Sequence, residues 1–103
     1  MSDPLLQFDA KSFRAQLRSS FQVDSDGNRL SLQLAEVLEP AAPPQVELFI
    51  LHFRGPRAPR LQQQIHRFEH DALGAFDLFV TAIGVDEAGT DYEAVFHRFK
   101  KKS

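Results

Sequence analysis

The spacing of apolar residues changes character at Phe21. Before it, Leu6, Ala10, Phe13, Leu17 and Phe21 recur at intervals of four or three, with neither Gly nor Pro between Asp9 and Phe21. That spacing marks one face of a helix. Asp9 can cap it, because its carboxylate can accept from the free amides of the first turn, and about two or three turns are expected before Ser19 and Ser20 end them. From Phe21 onward the period is two. Phe21 and Val23 lead into Asp24-Ser25-Asp26-Gly27-Asn28, after which Leu30, Leu32 and Leu34 alternate with Ser31, Gln33 and Ala35. This predicts a hairpin, since Asp-Gly tolerates the positive φ that tight turns between strands demand.

Residues 39–45, rich in Pro and Ala, cannot donate a regular ladder and read as an extended loop. Residues 46–53, VELFILHF, are apolar at most positions and predict a central strand, buried on both faces or exchanging faces through a bulge. After a loop from Arg54 to Arg60, a strand from Leu61 to His70 and a turn from Asp71 to Gly74 lead into Phe76, Leu78 and Val80, again at period two. A loop from Gly84 to Asp91 and a last strand from Tyr92 to Phe99 complete the chain. The expected fold is mainly β: a small antiparallel barrel or sandwich of about six strands, with one short N-terminal helix over an open end. Leu30, Leu32, Leu34, Phe49, Leu51, Phe53, Phe76, Leu78 and Val80 form its expected core.

A length of 103 residues leaves room for a single domain, 1–103. Twelve Lys and Arg against fourteen Asp and Glu give a net charge of -2, which argues against coating nucleic acid or membrane by bulk charge. The absence of Cys removes disulfides, thiolate metal sites and Cys nucleophiles, and fits a reducing compartment. No apolar run approaches the roughly 18 residues of a membrane span, and no basic segment leads into one at the N-terminus, so a soluble, cytoplasmic protein is expected.

Few residues suggest chemistry. His66-Arg67-Phe68-Glu69-His70 matches the H-x-x-E-H pattern of inverted zinc proteases. That pattern needs both His on one helical face. Leu61, Ile65, Phe68 and Ala72 allow such a helix, whereas on a strand the two His lie about 13 Å apart, too far to share a metal. The strand reading is favoured, and no metal and no cofactor are expected. Asp24 to Asn28 is not an EF-hand loop, because Gly stands fourth rather than sixth. There is no G-x-S-x-G and no Gly-rich phosphate loop, so no triad and no enzymatic activity are expected. Arg54, Arg57 and Arg60, stiffened by Gly55, Pro56 and Pro59, are the candidate site for an anion or an acidic partner. A second basic cluster, residues 97–102, reads as a solubilising tail.

Phe49-x-Leu51-x-Phe53-Arg54-Gly55-Pro56, Leu61-x-Gln63 and Glu69-His70-x-x-Leu73-Gly74-x-Phe76-x-Leu78-Phe79 resemble a small bacterial domain family of uncharacterised function. The resemblance runs from about Phe13 to Phe99 and departs at His66, where the pattern has Tyr. It implies association with phage-tail-like genes and supplies no catalytic residue.

The expected function is a non-catalytic structural or protein-interaction module of a phage-derived or secretion-related assembly. Its partner is a protein, and weak self-association through the last strand, read as a sheet edge, is a further expectation. The alternative is a small-ligand binder or hydrolase using His52, His66 and His70 in a barrel mouth. A nucleic-acid binder using the two basic clusters ranks third, since the net charge opposes it.

Overall fold

Period-two alternation becomes a ring of strands, each presenting one apolar face inward. The computed structural model describes residues 8–25 and 27–99. Helix α1 (Ala10–Arg14) is followed by β1 (Ser20–Ser25), β2 (Asn28–Leu38), β3 (Val46–Gly55), β4 (Gln64–His70), β5 (Gly74–Val85) and β6 (Thr90–Phe99). All neighbours are antiparallel, and the order β1-β2-β3-β6-β5-β4 closes on itself into a barrel.

The nine expected core residues are all buried, and they pack with Phe13, Phe21, Val23, Phe68, Tyr92 and Phe96. Six of the ten Phe are almost fully inaccessible, and their rings meet mostly edge-on or tilted, at centroid separations of 5.3 to 6.5 Å. The expected hairpin is present: β1 and β2 are in register from Ser20 opposite Gln33 to Ser25 opposite Asn28, with Gly27 at φ 82.

Four expectations need correction. The helix has five residues rather than two or three turns; Arg18, at φ 71, reverses the chain, so Leu17 is exposed and Phe21 belongs to β1. Leu6 lies outside the described residues. Asp9 does cap the helix, accepting from Ser12 N at 2.8 Å, with Ser12 Oγ accepting from Asp9 N. Strand β3 is not buried on both faces: Phe49, Leu51, Phe53 and Gly55 point inward, while Leu48, Ile50, His52 and Arg54 are half-buried outside. The bulges lie in β2 and β5, between Leu34 and Glu36 and between Ala82 and Gly84. Strand β4 begins at Gln64, because Leu61 is drawn under the barrel end, where its N–H donates to the Tyr92 hydroxyl at 2.8 Å. Removing that acceptor leaves a buried N–H unpaired. Tyr92→Phe should therefore cost about 1 to 3 kcal/mol in urea denaturation, and a loss within error of zero would contradict the assignment.

The fourth correction concerns β6. It is not a free edge, since it lies between β3 and β5. The closure is partial, however. β3 pairs with β6 along its whole length, whereas β5 pairs with β6 only from Thr81 opposite Glu93 to Val85 opposite Thr90. The first half of β5 is given to β4 instead. Beyond Thr81 and Glu93 the two strands part, and aromatic rings fill the opening from within. Phe13 touches Phe76 on one side and Phe96 on the other, Phe8 packs on both Phe13 and Phe76, and the Arg98 side chain donates to the Phe8 carbonyl.

Candidate functional site

The outer surface divides into a charged part and an apolar part. On the charged part, cross-strand neighbours are paired. Arg29 bridges Asp24 and Glu69, His52 stands between Glu36 at 3.3 Å and Glu93 at 3.1 Å, and Glu47 holds Arg98. The Arg29 guanidinium holds the Glu69 carboxyl below the usual range. On the apolar part, Ile65 and Phe79 stand directly opposite each other on β4 and β5, with 64% and 48% of their surfaces exposed. Ile50 and Val95 stand opposite each other on β3 and β6, and Val95 is 55% exposed. Phe79 and Val95 are each two residues beyond the last β5–β6 pair, so they are level across the opening. Ile83, Val85 and Phe99 extend the exposed apolar surface. Single exposed apolar side chains are ordinary; here several stand together on adjacent strands as one exposed apolar patch. The alternation that placed Phe76, Leu78 and Val80 inside also put Phe79 outside, and that was the available signal for it.

The three arginines expected to act together are not equivalent. Arg54 points outward from β3 and its guanidinium donates to Asp91 at 2.7 Å and to Asp86, which together raise its pKa further. Asp86 also accepts from Ala88 N and Gly89 N, each at 2.9 Å, so Arg54 stabilises the β5–β6 turn rather than awaiting a ligand. Arg57 and Arg60 are exposed, and among the described residues neither makes an ion pair. Their loop is tied down where the Thr90 hydroxyl donates to the Arg57 carbonyl and where Leu61 meets Tyr92. Lys100 to Lys102 of the second cluster lie outside the described residues.

The histidines do not gather at a mouth. His52 is outside the barrel, whereas His66 and His70 are buried on the inward face of β4, four residues apart. The His66 ring donates through Nε2 to the Gln62 carbonyl at 2.8 Å. No group of three or more His, Asp or Glu among the described residues could hold a metal ion.

His70 Nε2 lies 2.8 Å from Ser19 Oγ, a spacing suited to a nucleophile and its base. The hydrogen bonds run the other way. His70 Nδ1 accepts from Ala72 N at 3.0 Å and from Leu73 N at 3.3 Å, which places the ring proton on Nε2. Nε2–H therefore donates to Ser19, whose hydroxyl donates in turn to the Gln16 carbonyl at 2.6 Å. An imidazole in this tautomer cannot take the serine proton, so the pair staples the chain after α1 to the end of β4. Burial, against the Phe21 ring at 4.3 Å, pushes the His70 pKa down. The unfolded chain thus binds a proton at His70 more readily than the folded one. Its stabilising contribution is complete above the ordinary value near 6.5 and declines as the pH falls through the lower folded value. Urea midpoints measured from about pH 7 to pH 5 should fall, and the fall should be shallower in His70→Gln. Equal slopes would contradict the assignment.

Two open grooves lie at the helix end. One, of about 370 Å³, runs between α1 and the Pro-rich loop with Lys11, Glu39 and Glu47 on its walls; the other, of about 360 Å³, borders Ser19 and His70.

Fold and surface together define a small six-stranded β-barrel, wedged by an N-terminal helix, with an exposed apolar face on the outside. The chain belongs to the domain family of unknown function DUF6916, whose model matches residues 8–96. No curated protein and no solved structure matches it. No helix among the described residues is long and apolar enough to cross a membrane.

Proposed function

We infer that the domain is a non-catalytic protein-interaction module that holds a protein partner against the outer face of β4, β5 and β6. The observation that carries this reading is the exposed band of Ile65, Phe79 and Val95 on a barrel whose other outward positions are largely laced by ion pairs. Aromatic and branched side chains standing in water gain the most from being covered. Arg57 and Arg60, on their tethered loop, offer acidic groups of the same partner a second contact that loses little entropy on binding. The setting we propose is a phage-derived or secretion-related assembly in the cytoplasm; the phage association is what the family resemblance implies.

A photoreactive benzoylphenylalanine in place of Phe79, introduced in the producing cell, should yield a discrete cross-linked adduct, while the same group in place of Ser31 on the charged side should not. Adducts from position 31 alone, or none from position 79, would overturn the reading. Arg57→Gln with Arg60→Gln should weaken the captured partner at low salt and matter less as salt is raised.

A further inference from the structure

We propose that the apolar face is covered by a second copy of this chain, packed across the outer surfaces of β4 and β5 about a two-fold axis that runs along the strands between them. This rests on the interaction-module reading and names its partner. The observation that carries it is the order of side chains on the two paired strands. Ile65 stands opposite Phe79, and two residues along, on the same outward face, Arg67 stands opposite Asp77.

Rotation about such an axis exchanges β4 with β5 and keeps each level in place. A two-fold contact is isologous: if one residue meets a second across it, the second meets the first. Ile65 of one copy therefore lies over Phe79 of the other, and Phe79 over Ile65, which takes four exposed apolar side chains out of water. At the next level each Arg67 lies over the other copy's Asp77, so four charges alternate in sign around the axis. Sheets packed face to face cross at about 30°, which keeps contacts near the axis in register.

Charge selects this occupant. Within one copy, Arg67 and Asp77 approach only to 3.4 Å and keep 54% and 63% of their side-chain surfaces exposed, so each retains hydrogen-bonding capacity for a further partner. A partner of uniform charge would gain at one of these groups and be repelled by the other beside it. A surface that answers both must carry an anion and a cation side by side in the reverse order, and this same face, turned over, presents them so. Toward the start of β4, the rotation sets the loop bearing Arg57 and Arg60 toward the end of β5, where Glu87 of the other copy is exposed.

Sedimentation velocity of the full chain across roughly 5 to 500 μM, a range suited to a contact smaller than a standard interface, should show concentration-dependent dimers. Arg67→Asp leaves two anions on the face and Asp77→Arg leaves two cations, so either variant alone should self-associate at least about tenfold more weakly. An equimolar mixture of the two should dimerise about as well as the unaltered chain, because every acid then faces a base. Such recovery cannot come from a damaged fold. Benzoylphenylalanine at position 79 should give an adduct of twice the chain's mass, attached near Ile65 of the second copy. A chain that stays monomeric throughout, with position 79 still capturing a different protein, would overturn the second copy and spare the interaction-module reading. Dimers indifferent to both charge reversals, or reversals that the mixture does not rescue, would overturn the proposed face. An adduct confined to one chain and attached to residues 1–7 would overturn the proposal and the partner reading together.

Discussion

Phe13→Ala should lower the free energy of unfolding by about 3 to 5 kcal/mol, a third or more of what a domain of this size commonly has. The ring is fully buried and touches Phe8, Phe49, Phe76 and Phe96. Truncating it removes one side of each of those contacts at the place where no β5–β6 ladder can close the gap. A helix of five residues has almost no stability of its own, so its position depends on what it buries. Phe13 and Ala10 are its buried side chains, and the remaining ties, from Arg14 to Glu39 and to the Val37 carbonyl, are exposed or long. The loss should thus include undocking of α1 and appear as a changed denaturant slope as well as a lower midpoint. Phe99→Ala, with a ring 77% exposed, is the control and should change stability by no more than about 0.5 kcal/mol. A Phe13→Ala loss below about 1 kcal/mol would mean that the helix does not plug the barrel.

Gly89→Ala should cost about 1 to 3 kcal/mol or more, by overpacking. A Cβ at Gly89 would stand 2.4 Å from the Gly55 carbonyl oxygen, a backbone atom in the last residue of β3 that cannot turn aside. Relief requires the Asp86–Gly89 turn to lift away from β3, which pulls Asp86 from Arg54 and breaks the turn's own bond from Asp86 N to Gly89 O at 2.9 Å. Gly84, five residues earlier in the same hairpin, is the informative contrast. Its added Cβ would meet only an Asp91 carboxylate oxygen at 3.9 Å, so Gly84→Ala should be neutral or slightly stabilising. Thermal melts of the two variants separate crowding from a general effect of replacing glycine, and similar shifts would show that the close approach of Gly89 to Gly55 is not rigid.

What could be read from the sequence was whatever has a short period. Leu30, Leu32 and Leu34, like Phe76, Leu78 and Val80, announce both their strands and the face that turns inward, because the side-chain repeat of a strand is two residues. The capping Asp9 was legible for the same local reason. Strand order was not. Ser19 reaches His70 and Arg54 reaches Asp86 and Asp91 across tens of residues, and nothing in their immediate neighbours signals the partner. That is why Arg54 looked like a third arm of an anion site. The run from Val46 to Phe53 looked buried on both sides, or bulged, because its outward Leu48 and Ile50 are apolar too; they belong to the half-covered outer face. The last strand was read as an edge, and the structure divides it: paired with β5 up to Glu93, and beyond that with β3 but no longer with β5. No local pattern marks that point, since it is set by how far β5 has already committed itself to β4.

The account turns on that division of β6, and hydrogen exchange resolved residue by residue along the strand tests it most directly. From Thr90 to Glu93, where both neighbours are paired, amides should be uniformly slow. From Ala94 to His97, beyond the β5 ladder, the amides bonded to β3 should stay slow and those on the other side should exchange faster. Uniform protection from Thr90 to His97 would show that β6 is bonded on both sides beyond Glu93, and would contradict the end of the β5–β6 ladder there.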